Sequence, residues 1–329
     1  MSTQYVTNFP VPNSSDRSFN VPVFGSAVSK YIFVKPNTGN DVNDGLSPDY
    51  AVKTLSVAHG LATANQNDTI VLIPENNSAS STTARLTESL AWNKDLVHLV
   101  GLSANRYSQR SRIAGTSGTS GITPLLDVSA NGCVFANFQV FAGVNTDELI
   151  AINVSGDRNS FFNVHIAGMG DATLASTASA ASLKINGGGE NYFRDCIIGL
   201  DTIARDGDAK GEIWLDGGGA RNMFEDCFIT SYVSDTDHFH VTLEDTTAID
   251  RTLMFKNCQF FAKSTNKAVT QASIFSIPAG ISQGAILLVD SYAASDGGAT
   301  DWDSNNRGII WTNNVAAAAS AAGGIMTNQ

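Results

Sequence analysis

Phe193-Arg194-Asp195-Cys196, Phe224-Glu225-Asp226-Cys227 and Phe255-Lys256-Asn257-Cys258 repeat one four-residue phrase at intervals of 31 residues. A looser form stands upstream, as Val134-Phe135-Ala136-Asn137-Phe138 and Phe161-Phe162-Asn163-Val164, and again downstream as Leu288-Val289-Asp290-Ser291. Self-similarity at a period of 26 to 33 residues means one supersecondary coil stacked on its neighbours. The alternation inside each copy says what sort of coil. Phe193 reads inward, Arg194 outward, Asp195 at a bend, Cys196 inward, Ile197 outward and Ile198 inward, which is period-two strand logic with one kink.

A second apolar strand precedes each copy: Leu126-Asp127-Val128, Ile152-Asn153-Val154, Leu183-Lys184-Ile185, Trp214-Leu215-Asp216, Val241-Thr242-Leu243 and Phe275-Ser276-Ile277. Most run into turn clusters such as Asn186-Gly187-Gly188-Gly189. No helical stretch long enough for a βαβ crossover lies between successive copies. The arrangement that satisfies all of this is an all-β, right-handed parallel β-helix of about nine or ten coils, with about three short strands per coil and a length of roughly 45 Å. Equivalent positions then form ladders. Cys196, Cys227 and Cys258 share an interior column, and Asn137, Asn163, Asp195, Asp226, Asn257 and Asp290 stack at one corner, where amide side chains bond one another along the axis.

Composition suits a single extended domain, since 43% of the 329 residues are hydrophobic and only 16% are charged. The domain reading is an extended attachment arm over residues 1–29, a β-helix over 30–315 with its cap and first coil in 30–75, and an Ala/Gly-rich tail over 316–329. The cysteines read as free buried thiols, because stacked side chains are poorly aimed for the disulfide torsion. With no CxxC and scattered histidines, no metal site is expected from them. The opening Met-Ser-Thr-Gln-Tyr has neither a basic segment nor an apolar core, and no run of 18 apolar residues occurs anywhere, so neither export nor a membrane partner is expected. A net charge of -11 without a basic stripe argues against nucleic acid. Arg106, Arg110 and Arg112 form the one local basic group, in the turn Ser103 to Ser111, which reads as a solvated loop or a docking point.

Between arm and repeat come Tyr31-Ile32-Phe33-Val34, Gly39-Asn40-Asp41, Asp44-Gly45-Leu46-Ser47-Pro48, Lys53-Thr54-Leu55-Ser56-Val57-Ala58 and Asn67-Asp68-Thr69-Ile70-Val71-Leu72. Their order and spacing resemble the opening of pectate-lyase-like β-helix proteins. The resemblance implies a short capping helix, around the Lys-Thr-Leu element, over the open end of the rod. Together with the repeat it covers roughly residues 30 to 312.

This scaffold serves lyases, hydrolases, adhesins and viral spikes, so function must be argued from sites. An enzyme of the polysaccharide lyase or glycoside hydrolase type needs clustered outward acids with partners. Asp206 and Asp208 in one coil and Asp235, Asp237 and His238 in the next are the catalytic candidates, and Ca²⁺ is the one cofactor such loops would take. The absence of an export signal and the Pro-containing arm instead resemble phage tailspike-like virion proteins. That resemblance implies a capsid decoration, cement or head-spike protein, made in the host cytoplasm and displayed on the virion surface. It would grip a capsid or tail protein through Phe9, Pro10, Pro12, Phe19 and Phe24 and associate as a homotrimer. A host surface glycan is the alternative partner. Phe162, Ile197, Phe228 and Tyr292 read as an outward apolar stripe, either a partner face or covered by the coil's own loops.

Overall fold

Three sheets of parallel strands wind the chain into a rod. The computed structural model describes residues 9–10, 20–21, 29–78, 83–103, 105–281, 283–303, 309–312 and 325–326. The first sheet runs through ten strands in chain order, from Tyr31–Val34 to Ile310–Thr312. In the second, nine strands lie in a row from Thr83–Leu86 to Ile325–Met326, and in the third seven run from Leu90–Trp92 to Phe275–Ser276. Each strand pairs in parallel with the equivalent strand one coil on, as in the ladder Phe161, Phe193, Phe224, Phe255. Seven coils among the described residues therefore have all three sides, and the ten-strand sheet is about 43 Å long at ~4.8 Å per step. This is a parallel β-helix. Helix is confined to short pieces such as Leu55–Leu61 and Ala172–Ala175.

Backbone conformation at the corners explains why the repeat needs Asn or Asp after its strand. Asn137, Asn163, Asp195, Asp226, Asn257 and Asp290 all have φ between 50 and 61°. Short polar side chains tolerate this left-handed region better than other non-glycine residues, and one such residue turns the chain from the first sheet into the second. Two steps of the column carry the expected axial bond. Asn163 Nδ2 donates to Asn137 Oδ1 at 2.9 Å and Asn257 Nδ2 to Asp226 Oδ1 at 2.5 Å.

Inside, the inward positions build columns. The rings of Phe135, Phe161, Phe193, Phe224 and Phe255 stack with centroids 4.6 to 4.8 Å apart and planes within 13° of parallel. That spacing is the inter-strand distance itself, so the sheet sets the stack. Cys196, Cys227 and Cys258 are buried and free, as is Cys133. Their thiols reach carbonyls one coil back, Cys196 to Phe161 and Cys227 to Phe193 at 3.5 Å each.

A second ladder, fully buried, lies at the turn from the third sheet into the first. Asn159 Oδ1 accepts from the Cys133 amide, Asn191 Oδ1 from the Asn159 amide and Asn222 Oδ1 from the Asn191 amide, at 2.8 to 2.9 Å. Their Nδ2 groups donate to Ala130, Gly156 and Gly188 carbonyls. Each amide thus satisfies backbone groups that the turn would otherwise bury unpaired.

The helix Leu55–Leu61 closes one end. Thr54 caps its N-terminus by accepting from the Val57 amide, and Leu55, Ala58 and His59 turn inward. His59 sits 4.7 Å from the Trp92 ring. Lys94 Nζ donates to the carbonyls of His59, Gly60 and Ala62, a cation on the otherwise unpaired C-terminal groups of the helix. In the arm, Phe9–Pro10 pairs antiparallel with Asn20–Val21. Pro12, Phe19, Phe24 and most of the tail lie outside the described residues. Among those described, no helix is long and apolar enough to cross a membrane.

Candidate functional site

Stacking brings the two acidic loops together, as their sequence positions suggest. A Cβ placed on Gly207 would lie 3.5 Å from Asp235 Oδ1 and 3.1 Å from Asp237 Cβ, and the Ser234 amide bonds the Arg205 carbonyl at 2.8 Å. The carboxylates are engaged locally, however. Asp206 accepts from the Asp208 amide at 3.1 Å, and Asp235 from the Asp237 amide at 2.9 Å, each closing a turn on its own loop. Among the described residues no group of three or more His, Cys, Asp or Glu side chains is arranged to hold a metal ion.

His238 is placed differently from the sequence expectation. Rather than standing beside those acids at the surface, it is wholly buried, and neither ring nitrogen makes a well-formed hydrogen bond, although the Asp206 backbone lies close enough to oppose the fall in its pKa. Burial drives its pKa well below 6.5, helped by His240 and Arg205. Beneath the loops lies an ion pair that the sequence did not reveal, Arg205 and Glu212, both with fully buried side chains and 3.2 Å apart. Arg205 also donates to the carbonyls of Met169, Ile203 and Gly168, while Ser182 Oγ donates to Glu212 at 2.5 Å. Burial raises the Glu212 pKa, with Arg205 and Ser182 opposing. Such a network fixes loop geometry; its ions are out of reach of a substrate.

The outer face of the first sheet holds a denser constellation. Tyr192 Oη donates to Glu225, Lys256 Nζ bonds the other Glu225 oxygen at 2.8 Å, and Arg194 lies 3.6 Å from Asp195 and 3.8 Å from Asp226. Burial pushes the Asp195 pKa up, with Asp226 adding and Arg194 opposing. Glu225 moves the other way, because bonds from Lys256 and Tyr192 and the nearby Arg194 outweigh its burial. Alongside runs an in-register row, Tyr192, Met223, Met254, Leu287 and Trp311. Its last member is 65% exposed. The outer row of the third sheet reads Asp127, Asn153, Lys184, Trp214. Lys184 Nζ sits 3.7 Å over the Trp214 ring, whose Nε1 donates to Glu244 at 2.9 Å.

The expected stripe is neither one row nor an open face, since Phe162 lies on the first sheet and Ile197, Phe228 and Tyr292 on the second. Phe162 and Ile197 are buried, and Phe228 and Tyr292 half-buried. The arginine loop lies across it. Arg106 donates to the Asp226 carbonyl at 2.8 Å, Gln109 to the Asn163 carbonyl at 2.9 Å, and the Tyr107 ring contacts both His165 and Phe228, which flank Ile197 on the ladder. The loop's tip, Asn105 to Ser108, is exposed as a solvated turn would be, and it also makes a contact within the chain. The pattern could not show it, because the partners lie 54 to 120 residues away.

The chain matches no protein-family model and no curated protein. Among solved structures it is similar to a pectate lyase, with 13% identity over 93% of this chain and 89% of that one, at a TM-score of 0.46. It is also similar to the pectin methylesterase from Aspergillus niger in deglycosylated form, with 15% identity over 91% and 95% at 0.47. A third similar structure is ORF18 of Geobacillus virus E2, with 11% identity over 86% of this chain and 60% of the viral one, at 0.43. The parallel β-helix itself rests on the sheet topology described above.

Proposed function

We propose that this chain is a structural protein of a bacteriophage virion, a β-helical decoration, cement or head-spike component on the particle surface. In this reading residues 1–29 grip a capsid or tail protein, and the rods associate side by side as a homotrimer. The observation that carries the reading is the lengthwise row Tyr192, Met223, Met254, Leu287 and Trp311 on the first sheet. Tyr, Trp and Met are enriched in protein–protein interfaces, and a row parallel to the rod axis suits association along its length. The ladders serve the same end, since they make an elongated, self-supporting rod. Mass photometry and particle-binding assays on the full chain, on the chain lacking residues 1–29 and on Met254→Asp test it. Trimers that need the row and bind particles only with the arm support the reading; a monomer indifferent to particles sinks it.

A second reading, a glycan-binding or glycan-degrading rod, is favoured by the row Asp127, Asn153, Lys184 and Trp214 on the third sheet. Saturable binding of a host surface polysaccharide, with or without new reducing ends, would establish it.

A further inference from the structure

The loop Ser103 to Ser111 is closed at its base and fastened at its tip. The Ser103 amide donates to Ser111 Oγ at 3.2 Å and the Arg110 amide to Ser103 Oγ at 3.0 Å, pinching the base together. From there the tip crosses the outer corner of the rod. On the second sheet the ladder runs Arg112, Gln139, His165, Ile197, Phe228, so the loop spans four steps, about 19 Å.

Its central fastening is His165, 2% exposed. Nδ1 lies 3.1 Å from the Ser108 amide nitrogen and 3.1 Å from Gln139 Nε2, two donors on one acceptor. Nε2 lies 3.1 Å from the Gly199 carbonyl oxygen, which can only accept. These partners together fix a neutral imidazole with its hydrogen on Nε2. A proton added to Nδ1 turns the acceptor into a donor facing the Ser108 amide, so that bond is lost, while the Gln139 amide, whose Oε1 has no other partner, can turn to accept the new N–H.

We propose that residues 105–110 form an acid-released strap: protonation of His165 unlatches the Ser108 amide and uncovers Ile197 and Phe228 on the second sheet. The charged and titratable groups around the imidazole are Arg112 on the preceding coils, Asp201 beyond its own strand, and Arg106 and Tyr107 on the strap. Burial holds the imidazole down at about 4, Arg112 pushes the same way, and the Gly199 carbonyl and Asp201 oppose. Above that pH the latch is shut. Below it, the Arg106 and Gln109 bonds to backbone carbonyls are what remain to hold the tip. The device is independent of whether the rod serves a virion or a glycan.

Amide hydrogen exchange at pH 7 and pH 4, corrected for the intrinsic rate, tests it on the full chain and on His165→Asn, whose Oδ1 keeps an acceptor that does not titrate in this range. The expected result in the native chain is a loss of Ser108 protection at pH 4 about tenfold or more beyond whatever Phe193 in the rod loses, and no such excess in His165→Asn. Equal loss in both proteins, or strap and rod amides loosening together, would overturn the proposal. Should His165→Asn fail to fold, the imidazole nitrogen shifts of the native chain decide, because their titration midpoint must coincide with the loss of Ser108 protection. Midpoints that differ overturn the proposal.

Discussion

Phe161 and Phe193 stack face to face, 4.6 Å between centroids and 7° between planes, although 32 residues separate them. Each ring is the spacer for the next, so the column holds its coils at the distance the backbone ladder demands. Phe193→Ala opens a ring-sized void in the middle of a five-ring column, and the expected loss is about 3–5 kcal/mol. Urea unfolding followed by far-UV dichroism reads it, with Phe193→Leu losing distinctly less.

Asn191 joins two neighbouring turns, its Oδ1 on the Asn159 amide and its Nδ2 on the Gly156 carbonyl. Asn191→Leu keeps the bulk but leaves a buried donor and a buried acceptor unmet, at a cost of about 1–3 kcal/mol for each. Exposed Asn257, whose side chain bonds one neighbour, should lose less than half as much on the same change. A matched pair of urea melts compares them.

The Arg205–Glu212 pair behaves asymmetrically. Arg205→Met strands a buried carboxylate and should cost about 3–5 kcal/mol, whereas Arg205→Met with Glu212→Leu should recover most of it. A double-mutant cycle by thermal unfolding reads the coupling. If the double variant is as unstable as the single, the pair is more than a packing unit.

All five histidines titrate low in the folded chain. Burial holds His59, His98, His165 and His240 at about 4, and His238 well below 6.5. The unfolded chain therefore takes up protons below pH 6.5 that the folded chain refuses. Their contribution to stability is complete above pH 6.5 and is lost as pH falls toward 4, by about 1.4 kcal/mol per pH unit for each fully buried ring. Urea midpoints across this window should drop steeply, and His238→Leu, which removes a buried imidazole that makes no well-formed hydrogen bond, should flatten the curve without lowering its pH 7 end.

The repeat was legible because its determinants are local. A strand, a left-handed corner and a strand occupy about six residues, so Asp195 at its bend and Phe193 and Cys196 inside could be placed from the phrase alone. Asn159, Asn191 and Asn222 were within reach, each two residues before a column phenylalanine, but asparagine beside glycine reads as an ordinary turn until a partner one coil away is known. His238 and Arg205 were not legible. Their burial depends on how long loops fold over one another, and strand periodicity carries no information about that. Nor does alternation along one strand reveal that Tyr107 packs on His165 and Phe228, the two ladder neighbours of Ile197.

The strap also measures the rod. Coils are interchangeable steps of ~4.8 Å, and a stack built on nearest-neighbour contacts can gain or lose a whole coil while the ladders rejoin behind it. Beneath residues 105–110 that freedom ends. With its base at the Arg112 rung and Arg106 on the Asp226 carbonyl, one added coil would leave the guanidinium a full step short, and one removed would carry it past. The chain thus contains a gauge for its own middle, and changes in length are confined to the coils beyond Asp226 or before Arg112.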